Sequence, residues 1–234
     1  SLYRTMKWCL RLQYPCGMKN ARNGPKCSRD FVYGLNATFA KNSLSALIMC
    51  LVGLLYLSAS VVSYRYIGHE YHEHIITMKQ VRLFLLLFPL FVLSMFAALL
   101  ANNIGVLWVA LEATTLATTF LVAFYIKDAS IEAAWKYIVI CSTGIALGLL
   151  GILMFAYAGV SGGIDPEHVF HFNHLRLNAA ILPPEIVRWA FVFIFVGFGT
   201  KVGFVPMHTW LPDAHSKTPS PISAVLSGVL LNVA

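Results

Sequence analysis

Six predominantly apolar stretches constrain this chain more than any other feature. They cover residues 44–64, 83–101, 104–126, 135–158 and 189–206, with a sixth starting at residue 221. A hydrocarbon layer about 30 Å thick takes about 20 residues of α-helix to cross. Inside that layer every backbone N–H and C=O must be satisfied within the segment, which leaves only helices and closed barrels. No alternating pattern of barrel strands is present. Only 12% of the residues are charged, against roughly 25% in an ordinary soluble domain. The chain therefore reads as an all-α, polytopic membrane protein of about six transmembrane helices, one of them broken by proline.

The formal net charge of +7 suggests an anionic partner until it is located. Residues 1–41 hold eight Lys or Arg against the single acid Asp30, whereas the remainder holds nine of each sign. The excess belongs to the amino-terminal flank alone, and a basic flank of this kind lies on lipid headgroups. No folded basic domain accompanies it, so nucleic acid is excluded as a partner and the lipid bilayer is the expected one. Two regions follow, a basic tail of uncertain origin over residues 1–43 and a transmembrane helical domain over 44–234. The tail has neither helical period nor the apolar core of a signal peptide. A processed start, a foreign extension and a shifted reading frame all fit it. By the positive-inside rule it lies on the cytoplasmic side, with the first span running outward. Cys9, Cys16 and Cys27 in the tail match no zinc spacing, while Cys50 and Cys141 fall within membrane helices as small apolar residues.

Two ionisable residues sit at membrane depth. Lys201 lies deep in the run AFVFIFVGFGTKVGF, and a charge in hydrocarbon costs at least ~2.5 kcal/mol unless it finds a partner or a hydrated cavity. Pro206, Pro212, Pro219 and Pro221 then interrupt the chain. Pro206 has no N–H to offer the carbonyl of Val202, and Gly197, Gly199 and Gly203 weaken the same turn, so a helix break is expected beside the lysine. Broken helices recur at the ion sites of transporters, where freed carbonyls and water coordinate charge. Glu112 is the answering acid. It stands about ten residues into the third span, roughly 15 Å along a helix, among small and hydroxylic residues that permit close packing and hold water. The alternative for Glu112 is a protonated carboxyl satisfied inside the bundle.

Other polar residues have blander readings beside sharper ones. Lys136 is either a relay group or a lysine that snorkels from a helix end, with Glu132 one turn earlier to pair with it. His208, in the break, is polar lining or a relay group. Neither His208, Asp213 and His215 nor the linker residues His69, Glu70, His72, Glu73 and His74 make a closed ligand set, so no metal is expected. Gly144, Gly148 and Gly151 form a small-residue stripe for a helix contact. In the connection 159–187, Asp165-Pro166-Glu167 has the character of a helix start, and VFHFNHLRL that of a short amphipathic surface helix.

Three blocks carry a family resemblance. FVGFGTKVGFVPMHTWLPDAHSKTPSPISAVLSGVLLNVA resembles the signature of the antiporter-like membrane subunits shared by respiratory complex I, multisubunit cation/proton antiporters and membrane-bound hydrogenases. LLANNIGVLWVALEATTLATTF and SIEAAWKYIVICSTGIALG resemble, within it, the F subunit of hydrogenase-4-type complexes. The similarity runs from about residue 44 to 234. It implies a five-helix unit, here with one preceding helix, which in the family is followed by an inverted copy. It also places Glu112 on the family's membrane glutamate, Lys201 on its broken-helix lysine and Lys136 on a basic residue after the SIEAA-like turn. Asn232 stands where many relatives carry a lysine. The tail stands where two helices are usual, and that topology would start the span at residue 44 on the outer side, opposite to the positive-inside reading.

The function this implies is proton translocation in a redox-driven complex of hydrogenase-4 or NADH:quinone oxidoreductase type. The relay is Glu112, Lys201, Lys136 and His208, with Gly203, Pro206 and Pro212 as the break. Other membrane subunits would be its partners and the inner membrane of a prokaryote its location. Movement of Glu112 away from Lys201 would leave the ammonium desolvated and favour proton release. A component of a multisubunit cation/proton antiporter uses the same residues, and a non-conducting, truncated structural subunit remains a third reading. No cofactor is expected: the sequence has no cysteine cluster for iron–sulfur ligation, no haem-type histidine pair and no dinucleotide loop.

Overall fold

In a computed structural model, which describes residues 43–234, the chain is built from helices joined by turns. Helix α1 (Ser43–His72) has 30 residues, about 45 Å at 1.5 Å per residue. The expected end near residue 64 is thus corrected: nothing in Tyr64 to His72 breaks the helix, and the start of the histidine-rich linker, Gly68 to His72, belongs to its last turns. His74, with φ of 55°, makes the reversal. Thr77 and Gln80 then form a capping box, the Thr77 N–H donating to Gln80 Oε1 at 2.8 Å, and α2 (Met78–Leu100) begins.

Three residues separate α2 from α3 (Ile104–Val122), so the two run antiparallel as a tight hairpin. Asn103 Oδ1 caps α3 by accepting from the N–H of Gly105 at 2.8 Å and of Val106 at 3.2 Å, two donors that a helix start otherwise leaves unsatisfied. Helix α4 (Asp128–Ser161) has 34 residues. These four are long and apolar enough to cross a membrane, which makes the chain an integral membrane protein. Exposed Leu44, Leu47, Leu51 and Leu54 recur at helical spacing on α1, an outer face suited to hydrocarbon rather than water.

The long connection departs from its expected form. Asp165, Pro166 and Glu167 lie in turns, and the helix α5 (Phe172–Leu177) starts only after His171. The reason is tertiary. Ile104 N–H donates to the Phe170 carbonyl at 2.9 Å and Phe172 N–H to the Asn102 carbonyl at 3.1 Å, which ties this segment to the corner between α2 and α3 and holds its backbone extended. Helix α6 (Pro184–Val202) follows, opened by Pro184 at its first position. After a non-helical turn come α7 (Trp210–Lys217) and α8 (Ser220–Val233). The latter starts after Pro219 and carries a π-helical turn at Leu226–Leu230. The tail expected over residues 1–43, with Cys9, Cys16 and Cys27, lies outside the described residues except for Ser43.

The closest helix pair is α4 with α6. A methyl group added at Gly144 would overlap the Thr200 side chain, at Gly151 the Ala190 carbonyl and Ile194, and at Gly197 the backbone of Gly148. The glycine stripe is therefore a helix contact, as its spacing suggested, and it brings the last turns of α6 against the middle of α4. Trp108 Nε1 donates to the Ile145 carbonyl at 2.8 Å, fixing α3 on the other flank of α4. A second core, built on Phe88, Phe91, Met95 and Leu121, joins α2 and α3 to α1 and α8.

Candidate functional site

The buried lysine finds its partners on two helices. Lys201 is fully enclosed in the last turn of α6. Its Nζ donates to Thr115 Oγ1 of α3 at 2.8 Å and to the Tyr137 hydroxyl of α4 at 2.8 Å, and lies 5.2 Å from the centre of the Tyr137 ring. An ammonium has three donors and no acceptor, so Tyr137 must accept from it and is left to donate to Thr118 Oγ1, 2.7 Å away. Thr118 in turn donates to the Thr114 carbonyl at 2.6 Å. The direction of every bond in this chain is thereby set by the lysine charge.

Glu112 stands one turn before Thr115 on the same helix. Its Oε1 accepts from Ser142 Oγ at 2.9 Å, and its Oε2 is enclosed with no protein partner. Glu112 and Lys201 therefore share one face of α3 without touching. The ion pairs among the described residues are Lys136–Glu132, Lys136–Asp213 and Arg188–Glu185. Two polar groups of α4, Tyr137 and Ser142, complete the separate shells of the lysine and the carboxylate.

The break lies slightly earlier than the prolines alone suggest. Helix α6 ends at Val202 because Gly203 turns left-handed, with φ of 82°, a conformation open to glycine at little cost. The N–H groups of Gly203 and Phe204 both return to the Gly199 carbonyl, at 3.0 and 2.9 Å, as helix ends capped by glycine commonly do. Pro206, preceded by a cis peptide bond, sits in the exposed turn beyond. Pro212 lies in the first turn of α7, where no intrahelical donor is needed. One carbonyl at the end of α6 gains an indole partner: Trp210 Nε1 donates to Thr200 at 2.8 Å, and the Trp210 ring packs 4.9 Å from that of Tyr137. The break is thus filled by a buried tryptophan beside the lysine.

The remaining candidates lie around this centre. Lys136, adjacent to Tyr137 in sequence, has a side chain 48% exposed and bridges Glu132 at 2.8 Å and Asp213 of α7 at 3.0 Å. His208 is half-buried in the turn, with Nδ1 enclosed and unpartnered by protein groups. His215 Nδ1 is 3.0 Å from Ser223 Oγ. Among the described residues no cluster of three or more His, Cys, Asp or Glu is placed to hold a metal.

Sequence reasoning identified the lysine, the glutamate and the break but missed Tyr137, Ser142, Trp210 and the Asp213 partnership. Tyr137 carried one usable signal, a phenol directly after Lys136 at the start of the helix's long apolar run. Tyr137→Phe removes one of two acceptors from a buried ammonium. Hydrogen bonds to charged groups contribute about 1.5–3 kcal/mol, so a destabilisation of that size is expected, read as a lowered thermal unfolding midpoint in detergent. Thr118→Val keeps both acceptors of the lysine and should lower the midpoint less. Equal losses in the two variants would show that the lysine contact is not the source.

A membrane-embedded helical bundle with a lysine enclosed at a helix break defines a class of membrane subunit, and comparison with known proteins identifies which. Residues 101–234 match the profile of the NADH:quinone oxidoreductase/Mrp antiporter transmembrane family, and the chain belongs to that family. It is 38% identical over 196 residues to the hydrogenase-4 component F homolog of Methylacidiphilum infernorum (isolate V4), covering 84% of this chain and 41% of that protein. It also superimposes on a chain of respiratory complex I from Thermus thermophilus, with a TM-score of 0.64 and 20% identity over 88% of this chain and 42% of the other. A chain of the Mrp complex from Dietzia sp. DQ12-45-1b gives a TM-score of 0.64 with 18% identity, over 83% of this chain and 34% of the other. These two likenesses are of fold. The present chain spans about two fifths of the length of the hydrogenase-4 relative.

Proposed function

We propose that this chain is a proton-translocating membrane subunit of a redox-driven complex, of hydrogenase-4 or NADH:quinone oxidoreductase type. In this reading α6 and α8 also cross the bilayer, α6 with its break inside it. The six helices then correspond to the first five-helix unit of the antiporter-like fold with one helix before it. Other membrane subunits are the partners, and the inner membrane of a prokaryote is the location. The observation that carries the proposal is the enclosure of Lys201 among neutral hydroxyls, one helical turn along α3 from Glu112.

Hydroxyl groups solvate an ammonium without neutralising it, so its charge in this setting depends on the nearby carboxylate and on access to water. With Glu112 ionised, the pair holds one positive and one negative charge across a short gap. Protonation of Glu112, or its displacement through Ser142 and α4, removes the balancing charge and favours transfer of the proton from Lys201. One pKa unit corresponds to about 1.4 kcal/mol, so a small displacement suffices to switch the occupancy of either site. Thr115 and Tyr137 hold the ammonium in place while the proton passes between Lys201 and Glu112. Lys136, Asp213 and His208 are the groups that exchange protons with the aqueous side, Lys136 being next to Tyr137 and bonded to the helix beyond the break.

The test uses the complete complex in sealed vesicles, driven by its own redox substrates, with internal pH as readout. Glu112→Gln keeps a hydrogen-bond partner for Ser142 but abolishes the charge. It should slow proton translocation by about 10²-fold or more, the loss expected for a general acid–base group, while electron transfer persists. Undiminished pH change in this variant would overturn the assignment. A multisubunit cation/proton antiporter is favoured instead if proton movement persists without redox substrate and follows an imposed sodium gradient.

A further inference from the structure

Helix α7 has only eight residues, yet it meets both the buried lysine site and the ion pair at Lys136. Its inner side chain is Trp210, 1% exposed, which packs with Ala214 against Ala133, Ala134, Tyr137 and Cys141 of α4. The two alanines of α4 let the short helix lie close. Its outer side chain is Asp213, three residues on, whose Oδ2 lies 3.0 Å from Lys136 Nζ. Lys136 and Tyr137 are consecutive in α4, the first half-exposed and the second enclosed. One rigid turn of α7 thus touches two adjacent side chains of α4, one wet and one dry.

The inner contact bears on Lys201 in two ways. The Trp210 indole N–H donates to the Thr200 carbonyl at 2.8 Å, which holds the last turn of α6 directly before the lysine. The indole ring also stands 4.9 Å from that of Tyr137, the phenol that accepts from Lys201 Nζ. Trp210 therefore fixes both the backbone that carries the ammonium and one of the two hydroxyls that receive it. Its one N–H is engaged by Thr200, so it exchanges no proton in the relay. The outer contact is weaker. Lys136 and Asp213 are both partly exposed, and Lys136 is shared with Glu132 at 2.8 Å. Such a pair contributes little to the fold, but it responds to the charge of either partner. At its far end α7 is held to α8 by His215, whose Nδ1 lies 3.0 Å from Ser223 Oγ. Loss of the ion pair leaves α7 tethered at that end and able to pivot at the other.

We propose that Trp210 is a positioning residue for Lys201, and that α7 is the lever by which the Lys136–Asp213 ion pair acts on it. This rests on the proton-translocating reading above and adds a control to the same site. With the pair formed, the indole holds Thr200 and Tyr137, and Lys201 keeps both hydroxyls. With the pair broken, the indole withdraws from both, and the last turn of α6 loosens around the ammonium.

Backbone hydrogen exchange in the purified complex tests the lever independently of translocation. The amides of Gly203 and Phe204, bonded to the Gly199 carbonyl at 3.0 and 2.9 Å, report opening of the last turn of α6. Trp210→Phe keeps a ring against Tyr137 but removes the donor, and should speed exchange there about tenfold, the effect of one buried hydrogen bond. Asp213→Asn, a change at a partly exposed side chain, should speed it about two- to fivefold, the weight of an exposed ion pair. Added to Trp210→Phe it should have no further effect, because the lever no longer reaches α6. Translocation should slow in both single variants. Unchanged exchange at Gly203 and Phe204 in Asp213→Asn overturns the lever even where Trp210→Phe does not assemble, and so do additive effects in the double variant; either result leaves the proton reading intact. Coupled exchange with translocation at the wild-type rate in Trp210→Phe overturns the positioning role. The underlying reading fails separately, by translocation at the wild-type rate in Glu112→Gln.

Discussion

Lys201→Ala is expected to abolish proton translocation by the assembled complex while the redox reaction of its soluble partners continues. The variant removes a charge enclosed in the bundle and leaves Thr115, Tyr137 and Thr118 to hydrogen-bond one another or water. Truncating a fully buried side chain leaves a cavity and strips Thr115 and Tyr137 of their donor, so a lowered thermal midpoint should accompany the loss. Retention of the variant subunit in the purified complex, measured beside the translocation assay, separates function from folding. Lys201→Arg is the complementary case. Arginine keeps the charge but does not release its proton in a protein, so it should preserve assembly yet leave translocation as low as the alanine variant. Proton uptake into sealed vesicles at the wild-type rate, in either variant, would remove Lys201 from the mechanism.

Gly197→Leu should have the largest structural effect of any single change in the described region. The first side-chain atom at position 197 would collide with the backbone of Gly148, and backbone cannot rotate away as a side chain can. The two helices must separate, and the cost should exceed the about 1–3 kcal/mol typical of overpacking. Function should fail with the fold, because Lys201 lies one turn beyond Gly197 and reaches Tyr137 only across this contact. The expected observation is loss of the subunit from the purified complex, or a thermal midpoint far below that of the wild type. Gly53→Ala is the control. A Cβ at Gly53 meets nothing within 4 Å, and alanine is the better helix former by about 1 kcal/mol, so assembly should be unaffected. Comparable losses in both variants would mean that glycine flexibility, not close approach of α4 and α6, is what position 197 requires.

The contact that makes Gly197 sensitive also explains why the lysine is tolerated. Close approach of α4 and α6 shields Nζ from hydrocarbon and delivers Tyr137 as an acceptor, while Trp210 caps the carbonyl of the residue before the lysine. At the end of α6 the indole and the glycine turn satisfy the carbonyls of Thr200 and Gly199.

By itself the sequence determined what hydrocarbon forbids. Long apolar runs without enough charge to be soluble had to be helices, and α2, α3 and α4 lie where those runs placed them. A lone lysine in the run before a proline-rich segment had to be answered, and the small-residue stripe at Gly144, Gly148 and Gly151 had to meet another helix. Tertiary structure alone decided who answers whom. In a soluble helix the 3.6-residue period separates a core face from a polar face. In these helices both faces are apolar, so the period that would orient α3 toward α4 is erased from the sequence. That is why Tyr137 and Ser142 were not identified as neighbours of Lys201 and Glu112, and why a direct pairing of the lysine with the glutamate was the simplest expectation. The same blindness hid the bond from Lys136 to Asp213, 77 residues apart, and the backbone bonds of Asn102 with Phe172 and of Ile104 with Phe170 that delay the start of α5. Helix ends depend on local chemistry and on whatever packs nearby. Gly203, whose left-handed turn ends α6, was visible in the sequence, but that it acts before Pro206 is a property of the folded chain.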